Sequence, residues 1–73
     1  MKTKIRFTQR EDVDDALITL SAETYLEDRL LKQIGKLLEE IGEWYNHANN
    51  DDGRKMLRIY LSSLPTLLLR LPL

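Results

Sequence analysis

The chain has 73 residues, 42% hydrophobic and 32% charged, with a formal net charge of −1 and no cysteine. That length excludes a multidomain enzyme or a dinucleotide-binding fold, and the missing cysteine excludes disulfides, thiolate zinc sites and thiol chemistry. A chain this short buries only about 60–65% of the surface its unfolded form exposes, so its single core is small and a second chain is the remaining way to enlarge it.

Met1, Lys2, Lys4 and Arg6 lead into Glu11, Asp12, Asp14 and Asp15 instead of an apolar signal core. Export by that route is not expected, and the cytoplasm is the default location. In residues 3–9, Lys4, Arg6 and Thr8 alternate with Ile5 and Phe7. Period two suits a short strand. A lone strand leaves its backbone groups unpaired, so it needs a hairpin mate or a partner's strand. The alternative is an extended tail with Ile5 and Phe7 tucked against helices.

Val13, Ala16, Leu17 and Leu20 recur at helical spacing, and Thr8 with Glu11 fits a capping box. The spacing predicts a helix over about 9–20. The competing reading is a strand at Leu17–Leu20 that pairs with residues 3–8. Next comes the clearest periodicity: Leu30, Ile34, Leu37, Ile41, Trp44 and Ala48, with Leu31, Leu38 and Tyr45 as a second line. It predicts a helix over about 25–48, opened by Thr24 and Glu27, with Asp28 and Lys32 as a surface pair. Gly35 and Gly42 fall inside it. Each costs roughly 1 kcal/mol against alanine, which suggests close approach of another helix. Asn46–Gly53 reads as a loop. Leu57, Tyr60, Leu61 and Leu64 predict a third helix over about 54–64, which Pro65 ends or kinks; Ser62 or Ser63 could cap a new short turn with Pro65 near its start. The tail, with Leu68 and Leu71, is too apolar to stay uncovered and reads as a contact surface.

No phosphate-binding glycine loop is present, and both candidate calcium loops lack the required central glycine. Adjacent carboxylates diverge on a helix, and His47 with Glu43 reads as a solvated pair near a helix C-terminus. No catalytic, metal or cofactor site is expected. The charges are segregated: residues 1–10 carry +4, residues 11–53 carry −9 and residues 54–73 carry +4. Lys4, Arg6, Arg54, Lys55 and Arg58 are the candidate phosphate contacts. Trp44, Tyr45 and Tyr60 fall on the apolar stripes and read as core or interface residues, not as stacking platforms for bases.

These readings combine into an all-α expectation: a small antiparallel helical hairpin or three-helix unit, with a possible N-terminal strand over 1–8, assembling as a homodimer. Leu30, Ile34, Leu37, Ile41, Trp44, Leu57, Tyr60, Leu61, Leu64, Leu68 and Leu71 are the candidate core and interface residues. The expected function is a non-enzymatic protein–protein interaction module, an adaptor, inhibitor or regulator of a larger protein. The alternative is a dimeric nucleic-acid-binding regulator using the basic N-terminal segment or the Arg54, Lys55 and Arg58 cluster. Membrane binding is not favoured, because Pro65 interrupts the basic C-terminal segment.

Overall fold

The computed structural model describes residues 1–70. The chain runs β1 (Lys2–Arg10), β2 (Val13–Ser21), α1 (Tyr25–Ile41), β3 (Tyr45–Asn49), β4 (Lys55–Tyr60), a 3₁₀ turn (Leu61–Ser63) and α2 (Leu64–Arg70). The strands form one antiparallel sheet in the order β1-β2-β4-β3. Both helices lie on one face of it. The fold is α+β, which corrects the all-α helical-bundle expectation. Leu71 lies outside the described residues.

Each correction has a local cause. Residues 9–20 form no helix, because Glu11 and Asp12 both adopt positive φ, 52° and 65°. Such a two-residue reversal is what a tight hairpin requires. It sets Arg10 opposite Val13, Phe7 opposite Ala16 and Ile5 opposite Ile18. The apolar line of β2 is then Ala16, Ile18 and Leu20, at period two. The hairpin is the competing strand reading, extended to the whole of 13–21. The helix over 25–48 stops at Ile41, because Gly42 takes φ 74° and its amide turns back to the carbonyls of Glu39 and Leu38. A left-handed C-terminal residue of this kind ends a helix, and glycine adopts it without a Cβ penalty. Residues 45–49 of the expected helix and loop are therefore strand. Residues 55–60 are strand too: Leu57 and Ile59 alternate with Met56, Arg58 and Tyr60, and backbone pairing on both sides fixes them. Pro65 follows no helix over 54–60; in line with the second reading of it, it stands near the start of a new short helix. It occupies the first turn of α2, where its missing N–H costs nothing.

The buried core comprises Ile18 and Ala22 from the β2 side, Leu31 and Leu38 of α1, Leu57 and Ile59 of β4, and Leu67 of α2. Ile34, Leu37, Ile41 and Leu64 are half-buried against it. Leu30, Trp44, Leu61 and Leu68 are exposed and lie outside it. The stripe of α1 that meets the sheet is thus Leu31, Gly35 and Leu38, one residue along from the strongest line in the sequence. Thr24 Oγ accepts the Glu27 amide at 3.2 Å and caps α1.

Gly35 is buried beneath the imidazole of His47 on β3. A Cβ built there would overlap His47 Nε2 and lie 2.6 Å from Cε1. The close approach expected at this glycine comes from its own chain's third strand, not from a second helix. His47 is therefore not at a helix terminus, and Glu43 is not its partner: the Glu43 carboxylate accepts from buried Ser63 at 2.9 Å. Burial, followed by the charge of Lys55, holds the His47 pKa below its ordinary value. Gly35→Ala alone is expected to destabilise by displacing that ring. In a His47→Ala background the same change is expected to stabilise, by up to about 1 kcal/mol from helix propensity. Urea unfolding of the four proteins in this cycle measures the reversal of sign.

Asp28 ties α1 to the start of β4. Its Oδ1 accepts the Lys55 amide at 2.6 Å, and its Oδ2 lies 3.2 Å from Lys32 Nζ. The amide contact, aided by Lys32, holds its carboxyl below the usual carboxylate range. A carboxyl with a depressed folded pKa stabilises the fold above its unfolded value, about 3.9. That contribution disappears as pH falls through the folded value. Asp28→Asn is expected to lower stability at neutral pH and to flatten the acid limb of a plot of melting temperature against pH.

Candidate nucleic-acid interface

Pleating sends successive side chains to opposite faces, and residues directly opposite across strands share a face. The strand register therefore assigns both faces. The helix-covered face receives the core. The open face receives the even-numbered residues of β1 and β4 and their partners, arranged in rows across the sheet. One row is Lys4, Thr19, Arg58 and Asn46. Its neighbour is Arg6, Leu17 and Tyr60, continued by Trp44, whose ring centroid lies 4.9 Å from that of Tyr60. On the other side is the row Lys2, Ser21, Met56 and Ala48. With strands about 4.8 Å apart, each row spans roughly 14 Å.

The same face continues to Arg10, whose Cζ sits 4.1 Å above the Tyr60 ring. Arg10 Nη1 also lies 3.7 Å from Asp15 Oδ2. Asp15 is the one acidic residue in the strands of this face, and it is fully occupied. Ser62 Oγ donates to it at 2.7 Å, and the amides of Ala16 and Ser62 donate at 2.8 and 3.1 Å. Foremost the Ser62 hydroxyl, with those amides and Arg10, holds its pKa below the usual range. Asp15 is thus spent on anchoring the turn after β4 and on fixing Arg10 above Tyr60.

Lys2, Lys4, Arg6 and Arg58 remain. All four are exposed, and none makes an ion pair among the described residues. A groove of about 330 Å³ is lined by Lys2, Lys4, Thr19, Ser21, Met56 and Arg58 and by one carboxylate, that of Asp51. The other acids lie elsewhere: Glu11 and Asp12 in the hairpin turn, Asp14 on the opposite face, Asp52 in the β3–β4 loop, and the rest on α1 and its flanks.

Of the five candidate phosphate contacts, the fold gathers Lys4, Arg6 and Arg58 on this face. It separates Lys55, which projects to the helix side, and pairs Arg54 with Asp52 at 3.8 Å. Lys2, Thr19, Ser21 and Asn46 join the face without having been singled out in the sequence. For Lys2, the alternation Lys2, Lys4, Arg6 was a readable signal. For β2 and β3 no such signal exists without the strand order. Trp44, read as a core or interface residue and not as a platform for bases, is 45% exposed on this face.

Among the described residues, no cluster of His, Asp or Glu is suited to holding a metal ion, and no helix is long and apolar enough to cross a membrane. Comparison with protein-family models, with curated proteins and with solved structures finds no match to this chain.

Proposed function

We propose that the protein binds single-stranded nucleic acid across the open face of its sheet. The observation that carries this reading is the pairing of two adjacent rows. One offers Lys4 and Arg58 with the hydrogen-bonding side chains of Thr19 and Asn46. The next offers Arg6 with the exposed Trp44 ring, backed by Tyr60, whose own ring is covered by Arg10. Cations track a phosphate backbone, and exposed aromatic rings accept unstacked bases of any sequence. A single strand laid along the rows places both kinds of group within reach at once. An open sheet face that carries a groove between its basic rows suits an extended polymer. The overall charge of −1 is compatible with it, because the field that matters is local.

Trp44 is the only tryptophan and therefore reports on its own site. Titration with a short single-stranded oligonucleotide is expected to quench its fluorescence. The logarithm of the binding constant is expected to fall with the logarithm of salt concentration, with a slope of about −3 for four phosphate contacts. Absence of binding at low salt, or binding with no salt slope, overturns the reading.

A further inference from the structure

We propose that the outer edge of β1 pairs with β1 of a second copy of this chain, antiparallel and centred on Arg6, to make one continuous sheet. Among the described residues β1 bonds only to β2, which leaves its other edge free there. The Arg10–Val13 pair closes the two-residue hairpin, and a closing pair of this kind is hydrogen-bonded. Hydrogen-bonded pairs alternate along the ladder. The even residues of β1 therefore bond inward to β2. The amides and carbonyls of Thr3, Ile5, Phe7 and Gln9 point outward.

Those four residues are also the ones whose side chains lie on the helix side of the sheet. There Ile5 is 59% exposed and Phe7 85% exposed, although their cross-strand partners Ile18 and Ala16 are buried. The helix layer stops short of this edge strand. The register that uses every outward backbone group sets Ile5 against Phe7 of the second copy and Thr3 against Gln9, each twice by symmetry. That register is self-complementary, as a twofold interface requires. It places the exposed Ile5 and Phe7 of both copies in one apolar cluster, beside the existing cores.

On the open face the same register puts Arg6 against Arg6 of the second copy, Lys4 against Thr8 and Lys2 against Arg10. Like charges directly opposite oppose pairing, and basic side chains on an edge strand limit indiscriminate strand addition. Association is therefore expected to strengthen as salt screens the Arg6 pair. This dependence is opposite in sign to that of nucleic-acid binding, and the proposal does not rest on that binding.

The test is sedimentation in buffer free of oligonucleotide, from micromolar to near-millimolar protein, at low and high salt. A dimer favoured by high salt is expected for the wild type, and a monomer of unchanged far-UV spectrum for Phe7→Thr. Register is read separately by oxidation of single-cysteine variants, since the natural chain has no cysteine. Arg6 occupies a non-hydrogen-bonded pair on the twofold axis, where Cα atoms lie about 4.5 Å apart, within disulfide range. Arg6→Cys is expected to cross-link to dimer much faster than Thr8→Cys, which meets Lys4. Mixing Arg6→Glu with wild type is expected to favour the mixed dimer. A wild type that stays monomeric at high concentration and high salt, or an Arg6→Cys protein that cross-links no faster than Thr8→Cys, overturns the proposal.

Discussion

Leu57→Ala is expected to lower the stability of the fold by about 2–5 kcal/mol, the range for removing a fully buried leucine side chain. Leu57 is 0% exposed and lies on β4, which has a strand on either side. α1 packs over it, so backbone pairing and the helix restrain the walls of the resulting cavity from collapsing. Small domains have stabilities near the lower end of about 5–15 kcal/mol, so a reduction of this size leaves a measurable unfolded population. Urea unfolding followed by far-UV dichroism measures it as a lower midpoint with little change in slope. Leu30→Ala supplies the contrast. Leu30 is exposed on the outer side of α1, and its truncation is expected to cost well under half as much. Equal costs at the two positions would mean that α1 meets the sheet through a different stripe.

The contrast between Leu30 and Leu31 also shows what the sequence made legible. A helix starting near Thr24 was readable, because its cap and its apolar spacing agree. Which of two neighbouring lines faces the core was not. Leu30, Ile34, Leu37 and Ile41 exceed Leu31, Gly35 and Leu38 in apolarity. The glycine belongs to the buried line because His47 packs on it, a contact set by the third strand. The strands were hidden for a related reason. Val13, Ala16, Leu17 and Leu20 satisfy a helical period while Ala16, Ile18 and Leu20 satisfy an alternating one. About six to nine residues are too few to separate the two. The turn that decides the matter uses Glu11 and Asp12, without the glycine or asparagine that usually announces it. Gly42 was visible, but its meaning depended on whether it fell within a helix or just after one.

The candidate interface was half legible for the same reason. Alternation puts Lys2, Lys4 and Arg6 on one face of any strand they form. Bringing Arg58 into line with Lys4 requires β4 to insert between β2 and β3, a long-range pairing that no local pattern encodes. Trp44 reaches that face only because the helix stops at Gly42.

Neutralising both cations of the polar row, Lys4→Gln with Arg58→Gln, is expected to weaken single-strand binding by an amount that depends on salt. Each phosphate that no longer meets a cation lowers the slope of log affinity against log salt by about 0.7. Neutralising two cations therefore reduces affinity roughly 15-fold at 0.15 M salt and a few hundred-fold at 0.02 M. Both side chains are exposed and carry no ion pair among the described residues, so the fold is expected to survive. Trp44→Ala is expected to behave differently. Removing the ring on which a base stacks costs about 1–3 kcal/mol at every salt concentration and leaves the slope unchanged. Fluorescence anisotropy of a labelled oligonucleotide, read over a salt series for both variants, separates the two contributions. If the charge variant is weakened equally at all salt concentrations, the row is not meeting phosphates. If Trp44→Ala binds like the wild type, the aromatic row is not meeting bases, and the face is a basic surface for some other anion.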